Sequence, residues 1–172
     1  GYPNSSELDK NLFENIKKKV EIIDRINVTH QLMENYMLET GISKKKVFKI
    51  PITITLDNFS YVNDLKKKNM RKYLKIPANK IVIGSFQKDA HGWGKGNEPK
   101  LIKGPDIFLK SLEILKNTFK NDLHVLLTGP ARGYVKKGLE KINISYSHFY
   151  VSNFKSIEKY YHALDLYLVT SR

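Results

Sequence analysis

The feature that most constrains the fold is a regular alternation of apolar strands and amphipathic helices from residue 80 to residue 172. Uninterrupted apolar segments predict buried strands at 80–86, 123–128, 148–151 and 164–169. Apolar residues at helical spacing predict helices between them, at about 105–119, 133–142 and 156–162. Strands that are apolar on both faces and alternate with helices are typical of a parallel sheet covered by helices on both sides. We therefore predict an α/β fold with a Rossmann-like parallel sheet.

The first third of the chain carries weaker signals of the same kind. Apolar spacing predicts helices at 6–19 and 30–40, and residues 47–50 predict a short strand that stops at Pro51. Residues 51–60 have the composition of a connector, so we place a domain boundary near Asp57. The predicted organisation is therefore two domains, 1–56 and 57–172.

Composition excludes several classes of protein. About 41% of the residues are hydrophobic and 27% are charged, which is typical of soluble globular domains. No apolar run approaches the roughly 18 residues that span a bilayer. Residues 1–6 are neither basic nor apolar, so no signal peptide is expected. The absence of cysteine excludes a disulfide scaffold and thiol catalysis. A cytoplasmic location is therefore expected.

The net charge of +13 is concentrated in the second part of the chain. Residues 61–172 carry 21 basic and 9 acidic side chains, a net charge of +12. Of the 30 basic residues 26 are lysines, and lysine suits phosphate groups or an anionic membrane surface. Arginine forks, which base-specific contacts favour, are few, so nucleic acid is not expected as a partner. A general preference for lysine in an Asn- and Ile-rich chain explains much of the excess equally well.

Parallel sheets of this kind bind ligands in a crevice beyond the carboxyl ends of their strands. Lys103 and Gly104 stand just before the helix at 105–119, where free N–H groups and the helix dipole attract phosphate. Glycine lets a ligand approach closely, and Lys88 at the end of the preceding strand adds a second cation. An ordinary helix start behind a solvated lysine fits the same residues, so both interpretations stay open.

Two further patterns do not indicate a site. The glycine-rich segment 92–96 lacks the hydroxyl residue of a phosphate-binding loop and opens no helix, so it predicts a flexible loop. The five histidines show no metal-ligand spacing, and no metal site is expected. One of them, His124, is predicted to be a structural residue of a strand.

Five segments carry a resemblance to a known family: VFKIP (47–51), RKYLKIP (71–77), IGSFQK (83–88) with KG (103–104), VLLTG (125–129) and YYHALDLYLVTS (160–171). In this order they are similar to motifs of the retaining glycosyltransferases of family 4 (group 1). Segments 83–88 and 103–104 together resemble the family's element for binding the donor diphosphate. Segment 160–171 resembles the end of a strand that precedes the family's catalytic residues. Together they cover residues 47–172.

The resemblance implies the GT-B fold, in which two Rossmann-like domains face each other across a cleft. Residues 1–56 would be the tail of the N-terminal acceptor domain. Residues 57–172 would be the first part of the C-terminal nucleotide-sugar-binding domain, so that the fold is incomplete at both ends. The implied activity is transfer of a sugar, with retention, from a nucleotide-diphosphate donor to a glycan or lipid-linked acceptor, as in polysaccharide biosynthesis. The donor is a substrate, and no cofactor is expected. Basic surface would place the enzyme at the inner face of the membrane, in contact with anionic lipid.

The resemblance also implies a donor site. Its diphosphate-binding residues would be Gly84, Ser85, Lys88, Lys103 and Gly104, its floor Gly129, and its base-binding residues Ser152, Asn153 and Phe154. The arginine of the family's diphosphate element is replaced here by Gln87 and Lys88, and a lysine cannot offer a bidentate fork. The family's two glutamates follow the position of Ser171 and lie beyond Arg172. No catalytic residue is therefore assigned, and the chain alone is expected to be inactive.

One alternative of a different class stays open: a non-enzymatic, basic Rossmann-like module that binds nucleic acid or an anionic membrane. Binding to a polyanion weakens steeply with salt, whereas a diphosphate in a preorganised pocket responds less. Salt dependence therefore separates the two hypotheses.

Overall fold

The computed structural model describes residues 7–151, 153 and 156–172. The chain divides into two compact units between Thr55 and Leu56. Among the described residues, every helix is too short or too polar to span a bilayer.

The first unit contains two helices and a pair of parallel strands. Its elements are α1 (Glu7–Lys18), β1 (Ile26–Val28), α2 (Gln31–Glu39) and β2 (Val47–Lys49). In the strand pair, Ile26 lies opposite Val47. Phe13, Val28 and Met37 are buried in the core of this unit. The predicted helices and strand are present within a few residues of their predicted bounds.

The second unit is a four-stranded parallel sheet with helices on both faces. Its elements, in chain order, are α3 (Asp64–Tyr73), β3 (Ile81–Ser85), α4 (Pro105–Phe119), β4 (Leu123–Thr128), α5 (Gly133–Lys141), β5 (Ser145–Phe149), α6 (Glu158–His162) and β6 (Leu166–Tyr167). The strands lie in the order β5-β4-β3-β6. The predicted α/β fold with a Rossmann-like parallel sheet is confirmed.

Successive strand residues enter two separate cores, because side chains alternate between the faces of a sheet. One core joins β3 and β4 to α4 and α5, and its buried residues include Ile83, Val125, Phe108 and Leu139. The other lies on the side of α3 and α6, and its buried residues include Val82, Leu126, Leu74 and Tyr160. The central strands are therefore buried on both faces, which explains their uninterrupted apolar sequences.

Two strands differ from their predicted bounds. β5 begins at Ser145 rather than at residue 148, because this edge strand is only partly buried and accommodates polar residues such as Ser147. The regular part of β6 is shorter than the predicted strand. Its backbone hydrogen bonds to β3 nevertheless continue from the N–H of Asp165 to the N–H of Leu168, at 2.9 and 3.0 Å.

Arg71 of α3 secures the amino end of β3. Its side chain is buried, and its guanidinium donates at 2.8–3.3 Å to three backbone carbonyls, those of Ala163, Lys80 and Ala78. Its Nη2 also lies 2.5 Å from Asp165 Oδ2, which accepts the Val82 N–H at 2.8 Å. Burial raises the pKa of Asp165, but the hydrogen bonds from Val82 and Arg71 outweigh this effect and hold the pKa below its usual value.

Candidate functional site

The strand order indicates where a ligand crevice is expected. From β3 the chain runs through α4 to β4 on one side, whereas β6 lies on the other side of β3. Ligands of parallel sheets bind at such a switch point, outside the carboxyl ends of the strands. Residues 86–88 after β3, 101–104 before α4, and 168–171 after β6 meet there. These three segments are termed the switch-point crevice below.

The helix beside the crevice begins where the sequence predicts. Gly104 is its N-cap, with φ of +62°, and Pro105 occupies the first helical position, where no N–H is needed. In the first turn, Asp106 Oδ2 accepts a hydrogen bond from Arg172 Nη2 at 2.5 Å. This hydrogen bond is the main reason why the pKa of Asp106 lies below its usual value. The carboxylate at the start of α4 is therefore neutralised by an arginine.

Gln87 connects the three segments of the crevice. Its Nε2 donates to the Lys103 carbonyl at 2.7 Å, and its Oε1 accepts the Ser171 hydroxyl at 3.2 Å. Beside it, the Thr170 hydroxyl donates to the Gly104 carbonyl at 2.8 Å. Gln87 therefore orders these three segments through its side-chain amide.

The two predicted cations have different surroundings. Lys103 is partly buried, and among the described residues none forms a hydrogen bond or ion pair with its ammonium group. Lys88 Nζ lies 3.9 Å from the centre of the Trp93 ring, in a cation–π contact. Trp93 is the only tryptophan of the chain and is 76% exposed. The ammonium group of Lys103 is thus unpaired among the described residues, whereas that of Lys88 rests on an aromatic ring.

Two of the three predicted glycines, Gly84 and Gly104, are closely packed against other parts of the protein. A Cβ on Gly84 would lie 2.3 Å from Leu164 Cδ1, and a Cβ on Gly104 would lie 1.8 Å from the Thr170 carbonyl oxygen. At these two positions it is therefore another part of the protein that approaches the glycine backbone closely, whereas the sequence analysis predicted that a ligand would do so. Gly129, with φ of +86°, has no described atom within 4 Å of its Cβ position and lies open after β4.

Ser85 lies beneath the crevice. It is fully buried at the end of β3, and its Oγ accepts a hydrogen bond from Arg132 Nη2 at 3.0 Å. Its side chain therefore faces the interior, in contrast to the diphosphate contact predicted from the sequence.

Arg132 is the site residue that no sequence motif singled out. Its side chain is 0% exposed, and Nη1 donates to three backbone carbonyls at 2.9, 2.5 and 3.2 Å, those of Ser85, Gln87 and Thr128. Burial lowers the pKa of Arg132, and the nearby charge of Asp89 opposes this effect. The available signal was its residue type, because a rigid arginine fork is a rare choice in a chain that otherwise uses lysine.

The glycine-rich segment 92–96, predicted to be a flexible loop, is tied to the rest of the second unit by backbone hydrogen bonds. Ala90 and Pro99, which flank it, form an antiparallel bridge. At its tip, the carbonyls of Lys95 and Gly96 accept the N–H groups of Gly133 and Tyr134 at 3.0 and 2.7 Å. These bonds satisfy N–H groups at the start of α5, which are otherwise without partners in a helix. Protein carbonyls therefore occupy the positive end of α5.

The predicted base-binding residues are described only in part. Ser152 and Phe154 lie outside the described residues. Asn153 is exposed beyond β5, and its carbonyl accepts the N–H and the hydroxyl of Ser156 at 3.0 and 2.7 Å. The base site therefore stays a prediction.

Comparison with solved structures identifies the fold. HepE from Anabaena, in complex with UDP, matches 99% of the chain with a TM-score of 0.66 and 16% identity. A glycosyltransferase from Rickettsia africae matches 94% of the chain with the same TM-score and identity. The chain has the α/β fold, with helices flanking parallel sheets, of part of these GT-B glycosyltransferase structures. HepE in complex with UDP and glucose gives a TM-score of 0.64 at 17% identity, over 92% of the chain.

The match is partial in the other direction. The chain spans only 41–44% of the length of these structures. No protein-family model matches it, and no curated protein sequence matches it. The likeness is therefore one of fold.

Proposed function

We propose that this chain is part of a retaining family 4 glycosyltransferase, which transfers a sugar from a nucleotide-diphosphate donor to a glycan or lipid-linked acceptor. The unit that begins at Leu56 would bind the donor, and the first unit would belong to the acceptor domain. The observation that carries the proposal is in the switch-point crevice: Lys103, without a partner among the described residues, stands beside a helix start that Gln87 orders.

The chemistry of the crevice suits a diphosphate. When a sugar leaves a nucleotide diphosphate, negative charge accumulates on the departing phosphate oxygens, and preorganised cations and N–H groups stabilise it. Lys103 and Lys88 are the cations we assign to this role, beside the start of α4. Lys88 would exchange the ring of Trp93 for the diphosphate. Such contacts accelerate transfer because they are stronger in the transition state than in the ground state.

The likeness to HepE supports the choice of nucleotide. That protein is seen in complex with UDP, with UDP-glucose, and with UDP and glucose. UDP is therefore the first nucleotide to test, with residues 152–154 as our proposal for the base contact. The retaining stereochemistry and the acceptor class follow from the family resemblance, and the contact with anionic membrane follows from the lysine-rich charge. The catalytic glutamates would lie outside this chain.

Amide chemical-shift mapping of the full chain with UDP and GDP tests nucleotide binding. We expect shifts at Ser85–Lys88, Gly104 and Gly129, and at 152–154 for the base. Inorganic sulfate is the control, because a chain of net charge +13 binds anions weakly at many places. Shifts that sulfate reproduces in full would not count as nucleotide binding.

The opposite outcome is equally well defined. Shifts confined to the lysine runs at 66–68 and 136–137, with Gly104 unmoved, would contradict a donor site. Binding to those runs would also weaken steeply with salt, as polyanion binding does. That result would favour the non-enzymatic basic module.

A further inference from the structure

Arg132 ties together two strand ends directly under the switch-point crevice. Its Nη1 donates to a carbonyl at the end of β3, to one in the following turn and to one at the end of β4. Its Nη2 donates to the hydroxyl of Ser85. A single buried side chain therefore links the ends of β3 and β4 and holds the turn at 85–87.

The turn that Arg132 holds is the turn that orders the crevice. Arg132 binds the backbone carbonyl of Gln87, while the side chain of Gln87 reaches the Lys103 carbonyl and the Ser171 hydroxyl. Rotation of the Gln87 peptide would move its carboxamide, and the Lys103 carbonyl would keep only the longer hydrogen bond from the Thr170 hydroxyl, at 3.4 Å. Arg132 is therefore connected to the helix start through one intervening residue.

Asp89 holds the guanidinium from a second side. Its side chain is 1% exposed, and Oδ2 lies 3.0 Å from Arg132 Nη2. The pair lacks hydrogen-bond geometry, and within the described residues neither oxygen of Asp89 accepts a hydrogen bond. Burial raises the pKa of this carboxyl even though the charge of Arg132 lowers it. Desolvation offsets most of the attraction in such a pair, so stability alone is a poor explanation for it.

We propose that Arg132, held by Asp89, is a positioning residue of the donor site: it fixes the turn at 85–87 so that Gln87 keeps Lys103 and Gly104 in place, and it touches no ligand. This inference rests on the proposed function, because the ligand served by the turn is the donor diphosphate.

The chain contains a matched control at the other end of the same strand. Arg71 is also buried, also donates to three backbone carbonyls and also pairs with an aspartate, Asp165. It lies at the amino end of β3, whereas the crevice lies at the carboxyl end. Loss of either arginine removes similar interactions from the fold, but only the loss of Arg132 is expected to disturb the crevice.

The experiment compares the full chains of wild type, R132M, R132K and R71M, at a temperature where circular dichroism shows each one folded. Amide hydrogen exchange is measured without ligand, and the Kd for UDP is measured by calorimetry. We expect faster exchange at 85–88, 101–104 and 170–171 in R132M and R132K only. We expect their Kd for UDP to rise about 10- to 100-fold, as for a misplaced binding group. The Kd of R71M should stay within about threefold of wild type.

R132K keeps the inference testable if R132M does not fold. A lysine retains the charge but lacks the rigid guanidinium that donates hydrogen bonds to three carbonyls and a hydroxyl. R132K should therefore also speed hydrogen exchange in the crevice. The positioning role is overturned if R71M accelerates exchange in the crevice as much as the Arg132 variants do. It is also overturned if the Arg132 variants leave exchange there unchanged, or bind UDP as well as R71M does.

The exchange data separate this inference from the proposed function. If the wild-type chain binds neither UDP nor GDP, the proposed function fails. The exchange rates at 101–104 and 170–171 still decide whether Arg132 positions these segments.

Discussion

The carbonyl oxygen of Thr170 lies where the Cβ of any other residue at position 104 would have to be. The distance from that oxygen to an ideal Cβ on Gly104 is 1.8 Å, and Gly104 also has a φ of +62°. The segment after β6 therefore packs directly on the backbone at the start of α4. The hydroxyl of Thr170 strengthens this contact by donating to the Gly104 carbonyl at 2.8 Å.

Gly104→Ala is therefore expected to destabilise the second unit strongly. The left-handed backbone costs about 1–2 kcal/mol with a side chain, and the overlap with backbone adds about 1–3 kcal/mol. Gly129→Ala is the matched control, because Gly129 has a φ of +86° but open space around its Cβ position. Gly129→Ala should lower the free energy of unfolding only by the cost of the left-handed backbone. Equal free energies of unfolding for the two variants, measured by denaturant titration, would contradict the packing described here.

Lys103→Ala is expected to reduce activity without reducing stability. In the complete enzyme we expect kcat/KM to fall by an amount that corresponds to the loss of about 2–4 kcal/mol of transition-state stabilisation, as for one preorganised hydrogen-bond donor. Lys100→Ala is the control, since Lys100 is an exposed lysine three residues away. A kcat/KM for Lys103→Ala within about threefold of the control would remove Lys103 from the donor site.

Trp93 provides an internal reporter for Lys88. Because the chain contains one tryptophan and the Lys88 ammonium lies 3.9 Å from its ring, departure of Lys88 toward a diphosphate should change the tryptophan emission. We expect UDP to produce this change in the wild-type chain and to produce none in Lys88→Ala. The Lys88→Ala chain should also bind UDP about tenfold more weakly, the effect of one charge-assisted hydrogen bond. An unchanged UDP response in Lys88→Ala would show that Lys88 stays on the ring.

His124 is expected to make the stability of the second unit depend on pH. It is buried in β4 with its ring nitrogens 3.0 Å from the hydroxyls of Ser145 and Ser147. Burial, with smaller effects of Lys80 and Arg71, lowers its pKa from 6.5 to about 4. The unfolded chain therefore takes up the proton first. The stability contributed by neutral His124 is complete above pH 6.5 and is lost as the pH falls toward 4.

The test replaces His124 by a residue that does not titrate. Between pH 7 and pH 4.5, the free energy of unfolding of His124→Gln should fall by about 2–3 kcal/mol less than that of wild type. The reason is that each unit by which the pKa of His124 is lowered contributes about 1.4 kcal/mol. His91→Gln, at an exposed histidine of the same unit, is the control and should follow the wild-type pH dependence. Parallel pH profiles for His124→Gln and wild type would exclude a buried, neutral His124.

Much of this fold could be predicted because apolar periodicity is a local property of the chain. α4 and β4 occupy the residues predicted for them, 105–119 and 123–128. β5 was displaced in the prediction because an edge strand is partly exposed, and the residues at its start, Ser145 and Ser147, interrupt the apolar pattern. The ordered segment after β3 was missed for a related reason, since its hydrogen bonds join backbone groups and leave no mark on residue type.

The candidate site was predictable to the extent that a helix start and a strand end are local signals. The predicted position of Lys103 and Gly104 at the start of α4 is confirmed, and their contact with a diphosphate stays a prediction. Arg132 was not, because its carbonyl partners at Ser85 and Gln87 lie 47 and 45 positions away in the chain. Its residue type was nevertheless informative. Each of the four arginines has a specific partner in the described structure: Phe48 for Arg25, Asp165 for Arg71, Asp89 for Arg132 and Asp106 for Arg172.

The hydrogen bonds of Arg71 at the amino end of β3 also affect the order in which the contacts of this unit can form. Its partners Ala163 and Asp165 follow it by 92 and 94 residues. A nascent chain therefore carries β3 for the whole time in which α4, β4, α5 and β5 are synthesised, before the carboxylate for Arg71 exists. Contacts between such distant residues slow folding, because a long loop must close before they form. Arg71 can thus bind Ala78 and Lys80 as soon as β3 begins, but it reaches Ala163 and Asp165 only when most of the sheet has been made.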